Sequence, residues 1–213
     1  MMTNTNNTYE KKSIEQIVKV STNNSFVEVL DSAFEIGKVM LRFAEYDLNK
    51  PKGERFTKEI LIYMDIDEFE YLAHNIKFRF IDRDAAKARE MQKQGGYRFC
   101  REIYTDLGGT TVEKLARQNR SRADNKPESR QFKIVPGDKY PWMFQAESGA
   151  GKMLETGLIA PDGKPDTTIR IPMSDKDFRK LAIAVDNEIQ SWKVYNRFVK
   201  ERELANRKKN KAV

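Results

Sequence analysis

The sequence predicts an α+β protein built from two antiparallel β-sheet units, each followed by a helix, so that the chain reads as an internal repeat of the ββββα kind. Two observations predict this. From Arg130 to Val199 several β-rich runs lead into a long helical pattern, and the junction between strand and helix occurs twice. Aligned without a gap, Ile62-Tyr-Met64-Asp65-Ile-Asp-Glu68-Phe69-Glu-Tyr-Leu72-Ala73 matches Ile171-Pro-Met173-Ser174-Asp-Lys-Asp177-Phe178-Arg-Lys-Leu181-Ala182. The Ile, Met, Phe, Leu and Ala coincide, as do a capping position and an acid three residues on. Any strand entering a capped helix shares part of this pattern, but a duplicated sheet-and-helix unit accounts for more of it. The expected organisation is a polar, disordered amino terminus over 1–24, a binding domain over 25–199 made of pseudo-repeats near 25–95 and 96–199, and a basic tail over 200–213.

In the first unit, Met1 to about Val20 is polar and asparagine-rich, with a short helical turn expected at Ser13 to Val20. Lys38 to Asp47 alternates, with Val39, Leu41 and Phe43 on one side and Met40, Arg42 and Tyr46 on the other. After a turn at Lys50-Pro-Lys-Gly53, Thr57 to Met64 reads as a second strand. Asp65 is placed to cap a helix whose inner face is Phe69, Leu72, Ala73 and Ile76. Lys77 to Gln94 favours helix and Gly95-Gly96 ends it.

In the second unit, Tyr97 to Asp106 alternates, with Tyr97, Phe99, Arg101 and Ile103 on one face and Arg98, Cys100 and Tyr104 on the other. Leu107-Gly-Gly109 reads as a turn, with Thr110 to Leu115 pairing back as a hairpin arm. Arg117 to Pro127 lacks apolar periodicity and reads as a flexible basic loop between β-arms. Strands follow at Phe132 to Val135, at Tyr140 to Glu147, after a Ser148-Gly-Ala-Gly151 turn at Lys152 to Ala160, and at Thr167 to Met173. Phe178, Leu181, Ala182, Val185, Ile189, Trp192 and Val199 recur at three- and four-residue steps and form one apolar helix face, with Ser174 and Asp177 as a capping box.

Composition narrows the function classes. The 213 residues are enough to bury a core without staples. The single cysteine, Cys100, rules out a framework of internal disulfides and fits a reducing compartment. No apolar run reaches the roughly 18 residues of a membrane span, and no signal-peptide core is seen, so a soluble, cytoplasmic protein without a membrane partner is expected. The net charge of +7 is uneven. Lys114, Arg117, Arg120, Arg122, Lys126, Arg130 and Lys133 face only Asp124 and Glu128, a balance of +5. Arg197 to Val213 carries seven basic residues against Glu201 and Glu203, again +5, which leaves −3 for the remainder. Two basic segments on a slightly acidic body point to a polyanion partner, although solvated charge without a ligand gives the same pattern.

Catalytic readings find little support. His74 is the only histidine, so a zinc site or a histidine-based triad lacks residues. Ala146-Glu-Ser-Gly-Ala-Gly-Lys152 looks like a Walker phosphate loop, but Met153 stands at the magnesium-ligand position and strand, not helix, is expected next. Asp65, Asp67, Glu68 and Glu70 cluster as nuclease carboxylates do, yet two have capping duties and no companion cluster is seen. No enzyme activity, cofactor or metal is therefore expected.

What remains is a binding surface. Tyr140, Trp142 and Phe144 share one face of a strand and would stack unpaired bases if that face is open, or form the core if it is not. With them, the candidate nucleic-acid contacts are Tyr97, Arg98, Lys114, Arg117, Arg120, Arg122, Arg130, Lys133 and Lys152.

Two strand-rich units each ending in a capped helix resemble the Whirly family and the related coactivator family named positive cofactor four. The stretches Glu128-Ser-Arg-Gln-Phe-Lys-Ile134, Gln145-Ala-Glu-Ser-Gly-Ala-Gly-Lys152 and Gly157-Leu-Ile-Ala-Pro161 are similar to small cytoplasmic proteins of phages and conjugative elements of Gram-positive bacteria. The likeness covers roughly Lys38 to Val199. It lacks the Whirly lysine-glycine-lysine signature, which leaves the phosphate-contacting lysine open. The resemblance implies sequence-independent binding of single-stranded DNA during replication or conjugative transfer, commonly as a homo-oligomer. RNA as ligand stays open. The alternative expectation is an accessory factor that docks partner proteins of a DNA-processing complex through the long helix; a double-stranded DNA regulator is weaker, because no helix-turn-helix carries the basic residues.

Overall fold

Residues 15–96, 101–137 and 139–211 are described by a computed structural model. The first unit contains β1 (Gln16–Ser21), β2 (Ser25–Leu30), β3 (Lys38–Tyr46) and β4 (Phe56–Asp65), then α1 (Ile66–Lys77) and α2 (Phe80–Lys93). The second contains β5 (Tyr104–Thr110), α3 (Val112–Arg117), β6 (Glu128–Pro136), β7 (Trp142–Met153), β8 (Ile159–Pro161), β9 (Thr167–Met173) and α4 (Asp175–Lys211). The first sheet is an antiparallel meander in the order β1-β2-β3-β4. In the second, β5, β6 and β7 pair in sequence, and both β9 and β8 lie along the far edge of β7, β9 against residues 142–148 and β8 against 151–153. Pro172, which has no N–H to donate, sits on the edge strand β9. The fold is α+β, with a helix following each sheet, as the repeat predicts.

The repeat is carried by burial. Ile62 and Ile171, Met64 and Met173, Phe69 and Phe178, Leu72 and Leu181, and Ala73 and Ala182 are all buried at equivalent places. The caps differ. The Asp177 amide donates to Ser174 Oγ (3.1 Å), whereas Asp65 makes no cap bond and instead accepts from Lys38 Nζ at 2.6 Å. Both units share one core. Rings run from Phe43 on β3 to Phe132 on β6 (6.0 Å), to Phe144 on β7 (4.9 Å) and to Phe178 on α4 (5.7 Å). α1 packs along α4, and Lys77 Nζ donates to Asp186 Oδ2.

Several local expectations change. Ser13 to Val20 is not helical: Gln16–Ser21 is strand β1, paired with β2, so a domain boundary at 25 would cut a hairpin. β2 itself escaped notice because all six of its residues are buried and no alternation marks it. Leu107-Gly-Gly109 is not a turn but part of β5, and Val112–Arg117 is helix α3, its start capped by Thr111, not a hairpin arm. Ser148 to Gly151 is not a turn; β7 runs through it, and the reversal comes at 154–157. A phosphate loop is thereby removed, since Lys152 lies near the end of a strand. The tail is not separate either, because α4 continues to Lys211. The expected disorder of residues 1–14 lies outside the described residues. Among those described, no helix is long and apolar enough to cross a membrane.

Candidate nucleic-acid interface

Alternation along the second sheet puts Phe132, Ile134, Phe144, Ala146, Ile169 and Ile171 into the core. It turns Ser129, Gln131 and Lys133 on β6, Gln145 and Glu147 on β7, and Arg170 on β9 to the other face. That face is a trough of about 690 Å³, walled by residues 161–165 and by Glu102. Glycine lets the wall come close: a Cβ at Gly149 would stand 3.0 Å from Pro165 Cα, and one at Gly151 only 2.5 Å from Ile159 Cγ2.

A chain of polar contacts crosses the trough floor. Lys133 Nζ donates to Glu102 Oε1 (3.0 Å) and to Glu147 Oε2 (2.9 Å). Gln145 Nε2 donates to Glu147 Oε1 (2.5 Å), and Arg170 Nε donates to Gln145 Oε1 (2.8 Å). Lys133 is only 6% exposed. A buried cation needs such partners, and an apolar replacement of the whole set would stabilise a fold at least as well. The polar set therefore suits contact with a ligand better than it suits stability.

The basic segment joins this trough at one end. Arg122 grips Asp124 (3.0 and 2.8 Å) and Asp166 (2.7 Å), and Lys126 holds Asp162 at 2.6 Å. The Arg122 guanidinium holds the Asp124 carboxyl down at about 2, and the Lys126 ammonium lowers that of Asp162. Arg120 lies 3.7 Å and Arg130 2.5 Å from Glu128. The expected flexible loop is thus pinned by ion pairs to the 162–166 turn, and Arg120, Arg122, Arg130 and Lys133 are committed to carboxylates. Lys114 and Arg117 on α3, Lys152 on β7 and Lys164 on the wall are exposed and make no ion pair among the described residues.

The aromatic platform expected on β7 is overturned in two of its three members. Trp142 is 3% and Phe144 1% exposed. The indole stacks on Phe178 at 4.3 Å and 15°, and its Nε1 donates to Asp175 Oδ1 at 2.9 Å. The cause is position: β7 is an interior strand, and Trp142 and Phe144 on it face Phe178 of α4. Tyr140, ahead of the strand, is exposed. Tyr97 and Arg98 lie outside the described residues. Exposed rings occur instead on the first sheet, where Phe56 and Tyr63 flank Arg42, whose guanidinium lies 5.0 Å from the Phe56 ring. Sequence reading passed over these and over Glu102, Gln131, Gln145, Glu147, Lys164 and Arg170. The available signal was alternation of polar with apolar residues along 129–135 and 143–147.

The acidic cluster is dispersed into pairings. Glu68 accepts from the Tyr104 hydroxyl (2.9 Å) and Glu70 from Lys193 (2.5 Å). No carboxylate group suited to hold a metal occurs among the described residues. Burial pushes the Tyr104 phenol well above its usual range. Burial, then the charges of Glu68 and Asp65, push the Asp106 carboxyl up to about 6. A raised carboxyl favours folding fully only below the unfolded value near 3.8, and that contribution is lost as pH rises through 6. Asp106→Asn should then stabilise the protein by about 1 kcal/mol at pH 7.5, after allowance for solvent screening. Urea denaturation at pH 7.5, 5 and 3.5 should show that gain shrinking below pH 6 and gone below 4.

Comparison with protein-family models and with curated proteins found no match to this chain.

Proposed function

We propose that this is a non-catalytic, largely sequence-independent single-stranded DNA-binding protein of the cytoplasm, serving replication or conjugative transfer. The observation that carries the reading is the open polar trough on the second sheet, with Lys164 and Arg170 in its lining. A single strand lying in the trough would meet hydrogen-bonding groups on its floor and Lys164 and Arg170 on its walls, while Lys152, Lys114 and Arg117 are further exposed cations of the second unit. Lys164, Lys152, Lys114 and Arg117 make no ion pair among the described residues, so phosphate contact breaks none there and releases counterions from the DNA. Phe56, Tyr63 and Tyr140 add exposed rings elsewhere on the molecule. The Lys152→Gln, Lys164→Gln double variant is expected to weaken binding of oligothymidine and to lower the slope of log affinity against log salt by roughly 1.4, about 0.7 per phosphate contact on a single strand. An unchanged slope would show that neither lysine contacts the strand. Arg122→Glu, by contrast, is expected to loosen the 118–127 loop as much as it weakens binding, because its two aspartates would be left facing a third acid.

One observation favours a second reading, in which the chain docks a protein. Among the described residues, the last ring contact and the last ion pair of α4 with the body are Trp192 on Phe34 at 5.6 Å and Lys193 with Glu70. The helix projects beyond that for roughly 27 Å, with Val194, Tyr195, Phe198 and Leu204 exposed. A second copy of the chain would cover this stripe. Phe198→Glu is expected to turn such an oligomer into monomers in light scattering, and a wild-type monomer would leave the stripe to other partners.

A further inference from the structure

We infer that the trough is a base-reading pocket that adds a preference for guanine to otherwise sequence-independent binding, a refinement that rests on the single-stranded DNA reading. The lining itself indicates this. Among the described residues no aromatic side chain lines the trough; its floor is Gln131, Lys133, Gln145 and Glu147, and its walls carry Arg170 and Lys164. Stacking on rings tolerates every base, whereas fixed donors and acceptors do not. Pro161, Pro165 and Gly149 give the walls flat, uncharged surfaces against which a base plane can lie, and the volume of about 690 Å³ lies within the range of sites that enclose small organic ligands.

The donor and acceptor order selects the base. Glu147 spends one oxygen on Lys133 and the other on Gln145, and a carboxylate has about four acceptor positions, which leaves capacity on each oxygen. Arg170 gives its Nε to Gln145 and has further N–H donors. A carboxylate fixed beside cationic donors matches a base edge with adjacent N–H groups next to a carbonyl. Guanine supplies this with N1–H and N2–H₂ beside O6; thymine has a single N–H and adenine has no carbonyl. Gln145 holds the carboxylate and the guanidinium at a set spacing through its two amide bonds, so the pair is oriented before the base enters.

The test is fluorescence anisotropy with three labelled oligomers of equal length: oligothymidine, the same oligomer with isolated dG at every fourth position, and that oligomer with deoxyinosine, which lacks the N2 amino group, in place of dG. Guanine should bind roughly tenfold tighter than thymine, as one good set of base contacts gives, with inosine between. Glu147→Gln should bring the ratio of guanine to thymine affinity close to one. Arg170→Ala, at an exposed position that tolerates truncation, should lower that ratio as well, with folding checked by circular dichroism. Equal affinity of all three oligomers would overturn the base pocket and leave single-stranded binding intact. No binding to any of them would overturn both.

Discussion

Phe178→Ala is expected to destabilise the protein by about 3–5 kcal/mol, a large part of the stability of a domain this size. The ring is fully buried, stacks on Trp142 and meets Phe144 edge to face, so truncation leaves a cavity in the shared core. Phe69, its counterpart in the first unit, is equally buried, and Phe69→Ala should cost a similar amount. Because one core joins both sheets, each variant should lower the urea midpoint in a single transition with an unchanged slope. Two separate transitions would mean that the units fold independently, against the ring chain from Phe43 to Phe178. Trp142→Ala should likewise act on stability and not selectively on DNA affinity.

Lys133→Met is expected to cost about 3 kcal/mol at neutral pH, since removing one partner of a buried ion set leaves the others uncompensated. Glu102 and Glu147 would face each other across the trough without the ammonium that now lies about 3 Å from each. The deficit should shrink in the Lys133→Met, Glu102→Gln, Glu147→Gln triple variant. A loss of the same size in the single and triple variants, in thermal or urea denaturation, would show that Lys133 stabilises by packing and not by charge.

The repeat was legible because it is written in large apolar residues at fixed spacing. Ile62, Met64, Phe69, Leu72 and Ala73 can occupy only one kind of place, and their partners at 171–182 occupy the same one. The buried half of α4 was legible for the same reason. The direction of β7 was not, since Tyr140, Trp142 and Phe144 suit a core as well as a stacking surface, and only the position of the helix decides. Gly149 and Gly151 suggest a turn locally, yet here they serve close approach by the 159–166 segment, a contact set by tertiary structure. The partners of the basic segment were hidden likewise: Arg122 meets Asp166 and Lys126 meets Asp162 from far along the chain, so a run of charge in the sequence became pinned ion pairs. The trough followed from alternation that was present in 129–135 but was overlooked beside the more conspicuous aromatic triplet.

The central claim is tested most directly by titrating labelled oligothymidine and the matching duplex by fluorescence anisotropy at low and at moderate salt. Tighter binding of the single strand is expected at both, by about tenfold or more at moderate salt, because its unpaired base edges reach the polar floor, whereas phosphate contacts, common to both forms, are screened. Equal affinity for both forms that falls away together with salt would contradict it, and would reduce the basic segments to a nonspecific charge on a protein whose working surface is the projecting helix.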